Sequence, residues 1–290
     1  SGKLAHYFTS LGLKAGDCIA GLLPRTPELL ITILATWRMG AIYQPLFTAF
    51  ESKAIEHRIN TAKTRLIVTN EEQRPKLNSV DVPHILTVYQ QNTLSQQDDD
   101  FWTELIKKSS VFEPVMQTFA DDFLMMFTSG TTGLAKSVPV PLKAVLAFKG
   151  YMAYAVDLRA EDSFWNLADP GWAYGLYYGI TGPLSLGHSI IMDERAFSVD
   201  HAVQILKKYK VSNLTGSPTA FRMFFGFKEK FDPSIKAHLR VVSSAGEPLT
   251  PEVIHWFNND LNVNIYDQYG QTELGMVIGN HHGLAHEIKI

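Results

Sequence analysis

Short apolar runs rich in Ile, Val and Leu recur along the 290 residues, and between them stand stretches with helical start and stop signals. No other feature constrains the fold as much. Parallel strands need a long crossover, usually a helix, so regular strand–helix alternation points to parallel pairing. "DCIAGLLP" reads as a buried strand ended by Pro24. In "TPELLITILATWRMG", Thr26 can cap, Pro27 fits the first helical position, Glu28 suits the positive end of the helix dipole, and Gly40 can close the helix. Residues 3–12 read as a helix, "AIYQPLF" as a strand, 53–61 as a helix and "TRLIVTN" as a strand. "DFLMMF" is a further buried strand and "LKAVLAFKGYMAYAV" an amphipathic helix. The pattern resumes with strands at "SFWNLA", "VSNLTG", "LRVVSSAG" and "NVNIYDQYG", and helices at "HAVQILKKYK", "PTAFRMFFGF" and "TPEVIHWFNND". The prediction is an α/β protein of mostly parallel layered sheets flanked by helices, in two bodies covering 1–155 and 156–290. The polar stretch "YQQNTLSQQDDD" reads as a solvated loop with a wet charge run, and Asp100 can cap "FWTELIKK".

With 46% hydrophobic residues the chain has ample material for a core. A formal charge of -3 and no basic stretch argue against a nucleic-acid partner. The single cysteine, Cys18, excludes an internal disulfide and suits a reducing, cytoplasmic compartment. The most apolar early region is broken by Pro24, Arg25, Pro27, Glu28 and Arg38, so no membrane span is expected. The chain opens on Ser-Gly-Lys in what reads as mid-helix and stops at a strand-like "HEIKI", which predicts a fragment of a longer protein.

"MMFTSGTTGLAKSVPVP" (125–141) sets hydroxyls and glycines between two apolar runs. By spacing, Gly130 to Ser137 nearly matches the phosphate-loop pattern that precedes a helix, with Ala135 in place of the last glycine. Pro139 and Pro141 forbid an immediate helix, so that reading is set aside. The chemistry survives. Backbone N–H groups of a glycine-rich turn form an anion-binding concavity, Thr128, Ser129, Thr131 and Thr132 add hydroxyls, and Lys136 adds a point charge. A plain polar connection is the competing account.

"FTSGTTGLAKSV" resembles the phosphate loop of the adenylate-forming superfamily, which includes acyl-CoA synthetases, luciferases and the adenylation modules of peptide synthetases. The family usually has Pro-Lys-Gly where Ala135, Lys136 and Ser137 stand here. The resemblance extends downstream and is closest to the medium-chain and acetyl-CoA synthetase branch, covering part of its large N-terminal domain. "SSAGEPLTPEV" is similar to the segment that packs on adenine, which implies Gly246, Glu247 and Pro248 along the base; a turn and a helix capped by Thr250 is compatible with that. "YDQYGQTELG" resembles the motif that ends in Thr-Glu. This implies nucleotide contacts along Asp267, Gln268, Tyr269, Gly270 and Gln271, with Tyr269 near adenine, Thr272 at the α-phosphate and Glu273 on Mg²⁺. "ADPGWAYGLYYGITGPLSLG" repeats glycine at 171, 175 and 179, a bare helical face that alone signals tight packing. It resembles the acyl and pantetheine channel, which implies Trp172, Ala173 and Tyr174 as its lining.

The resemblance implies ATP-dependent activation of a carboxylic acid to acyl-AMP, then transfer to coenzyme A with release of AMP and pyrophosphate. Catalytic roles fall to Lys136, Thr272 and Glu273; the loop Thr128–Gly133 and Lys136 hold phosphate; ATP, Mg²⁺ and coenzyme A are the cofactors and cosubstrates. Short-chain relatives carry a tryptophan two residues before Thr-Glu, where this chain has Gly270. Losing an indole leaves room for methylenes worth about 0.8 kcal/mol each, so the expected acid is medium-chain or aromatic, and Gly270 joins the acyl slot. The family's ribose-binding aspartate and small C-terminal domain are expected beyond residue 290, and the chain alone is expected to be inactive. Two alternatives stay open: an amino-acid-activating module, for which Asp169 is the candidate amine partner, and a catalytically inactive nucleotide-binding regulator. His281, His282 and His286 read as an exposed terminal loop rather than a metal site.

Overall fold

The apolar run Cys18–Leu22 is buried along its whole length, as a strand covered on both faces must be. It forms β1, the middle of a seven-stranded sheet in the computed structural model, which describes residues 1–89, 98–128 and 133–282. The other strands are β2 (Ile42–Pro45), β3 (Leu66–Asn70), β4 (His84–Val88), β5 (Asp99–Asp100), β6 (Asp122–Thr128) and β7 (Lys136–Pro141), in the order β5-β4-β3-β1-β2-β6-β7. Every pairing is parallel except β6 with β7. β7 lies at the edge, which is why Pro139 and Pro141 are tolerated: their missing N–H groups leave no ladder bond unmade.

Helix Pro27–Arg38 starts and stops near the predicted positions. Thr26 stands at its N-cap, but the hydroxyl makes no capping bond; Pro27 and Glu28 supply the start signal. Gly40 takes the left-handed φ of 72° just past the helix end. The aspartate run is only partly the wet surface expected of it: Asp99 is exposed, but each of the three is bonded. Arg74 reaches Asp98 at 2.5 Å, Tyr7 donates to Asp99 at 2.7 Å, and only Asp100 keeps its predicted job, accepting from Thr103 N at 2.8 Å. Residues 90–97 of that stretch lie outside the described residues.

The chain divides into two compact units, Ser1–Lys143 and Ala144–Ile290. Helix Ala144–Tyr154 therefore belongs to the second unit rather than the first, because Phe148 stacks on Tyr177 with centroids 4.5 Å apart. It is less amphipathic than predicted: Phe148, Tyr151 and Met152 are buried while Leu146 and Tyr154 are exposed.

The second unit holds β8 (Phe164–Asn166), β9 (Asn213–Gly216), β10 (Val241–Ala245), β11 (Ile265–Gln271) and β12 (Gly275–Gly279), ordered β12-β11-β10-β9-β8. β8 to β11 are parallel; β12 returns antiparallel along β11. The core is aromatic, with Phe221, Phe224 and Phe257 fully buried around Val242 and Ile265. Ser198 and Ser217 cap the helices Val199–Lys208 and Pro218–Gly226 by accepting from His201 N and Ala220 N. Thr250, like Thr26, sits at its cap position without the side-chain bond.

Candidate functional site

In the first unit the glycine-rich segment joins two antiparallel strands. Thr128 and Lys136 stand opposite each other across β6 and β7. The chain between them is thus the tip of a hairpin, as the prolines imply. Ser129, Gly130, Thr131 and Thr132 lie outside the described residues. Gly133 adopts φ 100° with nothing near its Cβ position, and Lys136 is exposed. The hairpin base has an anchor that sequence reasoning missed: His57 Nε2 lies 2.8 Å from the Ala135 carbonyl. Nothing local marks it, since His57 sits on the helix Ser52–Ala62, remote in sequence.

In the second unit the predicted nucleotide segments converge. β10 and β11 are hydrogen-bonded neighbours, with Ala245 opposite Gln268, and adjacent strands run about 4.8 Å apart. Gly246–Pro248, which follows β10, is therefore beside the last residues of β11. Gly246 has φ 107° and open space at its Cβ position, so backbone is exposed to whatever packs there. Tyr269 is exposed, and Gln271 Nε2 donates to its hydroxyl at 2.8 Å. Thr272, Glu273 and Leu274 make the turn into β12, and Glu273 is exposed. Among the described residues no group of three or more His, Cys, Asp or Glu stands together. An ion at Glu273 would take its remaining ligands from phosphate oxygens and water, which suits Mg²⁺.

Some predicted side chains are committed elsewhere. Gln268 is buried, with Tyr151 donating to its Oε1 and its Nε2 donating to Ala155 O at 3.3 Å. Glu247 pairs with Arg222 at 2.6 Å and accepts from Thr219, and the Arg222 hydrogen bond holds its carboxyl below the usual range. Burial pushes the Asp267 carboxyl up, against a hydrogen bond from Gln268 N. Asp169 Oδ1 accepts from Gly171 N at 2.7 Å, a turn contact.

The aromatic segment forms a helix of three parts: Ala173–Leu176, a π-helical turn Tyr177–Thr181, and Gly182–Ser185. Gly171 precedes it, so the three glycines do not line one helical face. Gly175 packs on the Asp169 carbonyl, and a Cβ on Gly179 would lie 3.2 Å from that of Asn166. Trp172 is exposed, whereas burial pushes the Tyr174 hydroxyl up to about 12.

The room inferred beside Gly270 is not vacant. A Cβ there would lie 2.5 Å from the Gly275 carbonyl and 2.6 Å from Met276 Sδ, at the β-bulge between Tyr269 and Gly270. Glycine is needed because the returning strand fills the site. The histidines are also corrected. His282 Nε2 lies 3.1 Å from the hydroxyl of buried Ser243, and its ring packs 4.5 Å from that of Tyr266. His286 lies outside the described residues. No helix among the described residues is long and apolar enough to cross a membrane.

Comparison with known proteins identifies the family. The family described as AMP-binding enzyme matches residues 1–289. The chain is 30% identical to an acetyl-coenzyme A synthetase of Cronobacter sakazakii over 94% of its own length and 46% of the relative's. It is 32% identical to acetyl-coenzyme A synthetase 1 of Candida albicans, over 94% and 44%. Among solved structures it is similar to an acyl-CoA synthetase of Brucella canis, with TM-score 0.93 and 51% identity over 99% of this chain and 53% of that one. It shares the fold of an anthranilate CoA ligase in complex with anthranoyl-AMP, with TM-score 0.87 at 20% identity over 98% and 55%. The chain thus spans about half the length of these proteins.

Proposed function

The chain belongs to the AMP-binding enzyme family, and on that premise we propose that the protein activates a carboxylic acid with ATP and transfers it to coenzyme A. In the first step the acid's carboxylate attacks the α-phosphate, forming acyl-AMP and releasing pyrophosphate. The thiol of coenzyme A then displaces AMP, leaving acyl-CoA. The observation that supports this reading best is the pairing of β10 with β11, which sets Gly246–Pro248 beside the strand that ends in Thr272 and Glu273.

The chain's own residues position and stabilise rather than attack. Gly246 and Pro248 give adenine a flat backbone surface, and Tyr269 gives it a ring. Lys136, with Thr128 and the hydroxyls and N–H groups of residues 129–133, holds the departing pyrophosphate. Thr272 donates to the α-phosphate, and Glu273 orients the metal. Magnesium, when bound with ATP, offsets the triphosphate's charge. Gln268 supports the strand from below. Cys18 takes no part: it is buried, and burial pushes its thiol up to about 12. A buried reduced cysteine agrees with an intracellular setting.

For the acid we propose a medium-chain or aromatic group. The backbone at Gly270 is packed against the Gly275 carbonyl and Met276, so the length of the slot rests on the Met276 side chain, an unbranched thioether, moving aside. Trp172, Ala173 and Tyr174 contribute the other wall. Exchange of labelled pyrophosphate into ATP, with acetate, hexanoate, benzoate and amino acids offered in turn, tests the proposal. The expected result is exchange with hexanoate or benzoate above that with acetate. Acetate far ahead would overturn the size assignment, and no acid-dependent exchange at all would leave only a nucleotide binder.

A further inference from the structure

Two consecutive buried tyrosines reach the turn that carries Thr272 and Glu273, one at each end. Tyr177 donates its hydroxyl to the Thr272 carbonyl at 3.1 Å. Met276 N donates to the Tyr178 hydroxyl at 2.8 Å. Between these two points the turn closes on itself, Leu274 N donating to Gln271 O at 3.2 Å. Gly275 completes the fit: it holds φ 70°, and a Cβ there would lie 2.8 Å from the Tyr178 oxygen.

The supports of the tyrosines are equally specific. Both residues are almost fully buried, at 1% and 2% exposure. Phe148 stacks on Tyr177 at an interplanar angle of 20° and meets Tyr178 edge-on at 76°. They open the π-helical turn, whose Thr181 hydroxyl donates to the Leu176 carbonyl at 2.9 Å. Such turns interrupt a helix at some local cost and recur at functional sites. Packing alone needs only the rings, and phenylalanine would fill the same space. A buried hydroxyl is costly unless bonded, and here both are bonded to backbone of one turn.

We propose that Tyr177 and Tyr178 are positioning residues that fix the Thr272–Glu273 turn, so that the carboxylate and hydroxyl are preorganised for metal and α-phosphate. The inference rests on the reading of that turn given above. Tyr177→Phe, Tyr178→Phe and the double variant would be compared with the unaltered protein and with Glu273→Gln. Calorimetric titration of ATP over a series of Mg²⁺ concentrations gives the metal requirement directly, and pyrophosphate exchange gives kcat and KM. Each single variant should raise the Mg²⁺ concentration for half-maximal ATP binding about fivefold, the loss of one hydrogen bond, and the double variant more. The turnover number should fall while KM for the acid stays unchanged. If Glu273→Gln shifts the Mg²⁺ requirement and the tyrosine variants do not, this inference is wrong and the turn's role stands. A lower melting temperature with unmoved Mg²⁺ requirement also overturns it, as a purely structural effect. If Glu273→Gln itself leaves the requirement unmoved, the turn's assigned role fails and takes this inference with it.

Discussion

The two hairpins are built alike and held differently. In each unit a parallel strand, β6 or β11, ends beside a hydroxyl residue and turns back as an antiparallel edge strand. In the first, Thr128 and Lys136 face each other below a long glycine-rich tip, and His57 holds the Ala135 carbonyl. In the second, only Thr272, Glu273 and Leu274 lie between the strands, and Tyr177 and Tyr178 clamp both ends. The difference matches the proposed tasks. A group that must receive pyrophosphate and release it suits a connection rich in hydroxyl residues and glycine. A carboxylate that orients a metal ion needs a fixed direction, and the tyrosines supply it.

The comparison breaks most visibly at its two charges. Lys136→Ala and Glu273→Gln should each slow pyrophosphate exchange by about 10²–10³-fold, or roughly 2.7–4 kcal/mol of transition-state stabilisation. Near-normal rates for either would remove that hairpin from the chemistry. The next effect concerns how firmly the second unit is tied at the other end of its sheet. Arg240 bonds both Asp157 and Asp162 at 2.5 Å, and the Asp162 side chain is only 1% exposed. Arg240→Ala should cost about 3 kcal/mol in chemical denaturation, because a buried carboxylate loses its counter-charge.

Acid probes the same cluster. Burial raises the Asp162 carboxyl, but hydrogen bonds from Arg240 and Ser212 outweigh it and the net shift is downward. A folded-state value below the unfolded one stabilises above the ordinary carboxylate value, about 3.9, and that stabilisation is lost as pH falls through the depressed value. Asp98 beside Arg74 behaves alike in the first unit. Melting temperatures should therefore hold steady near neutrality and drop below about pH 4, less steeply in Arg240→Ala.

The smallest effect separates the hairpins through their glycines. Both Gly133 and Gly275 have positive φ, but only Gly275 has a neighbour at its Cβ position, the Tyr178 oxygen at 2.8 Å. Gly275→Ala should cost about 2 kcal/mol and Gly133→Ala about 1 kcal/mol, the backbone penalty alone. Equal melting temperatures would mean that the clamp is not tight.

Most of the parallel sheet was legible in the sequence. β1 is a continuous apolar run and β3 opens on one, and Pro27, Glu28 and Gly40 mark one helix at both ends. Among the strands missed are β4, which follows Pro83 and runs into a polar stretch, and β12, which begins and ends on glycine. What failed more instructively depends on partners remote in the chain. The aspartate run looked wet because Arg74 and Tyr7 are 24 and 92 residues away from their partners. Gly270 looked like a vacancy because local pattern cannot show that Met276 folds back over it. Tyr177 and Tyr178 carried no assigned role in the sequence, since their hydroxyl partners stand 95 and 98 residues on. The motif residues could be singled out as candidates because each motif calls for a particular residue type at a particular turn.

We propose that both hairpins serve one nucleotide, and a crystal structure of the protein with a non-hydrolysable ATP analogue and Mg²⁺ tests this most directly. The account predicts Lys136 Nζ at hydrogen-bonding distance from an outer phosphate oxygen and the Glu273 carboxylate on the metal of the same molecule. A nucleotide bound by one hairpin, with the other charge facing solvent, would contradict it.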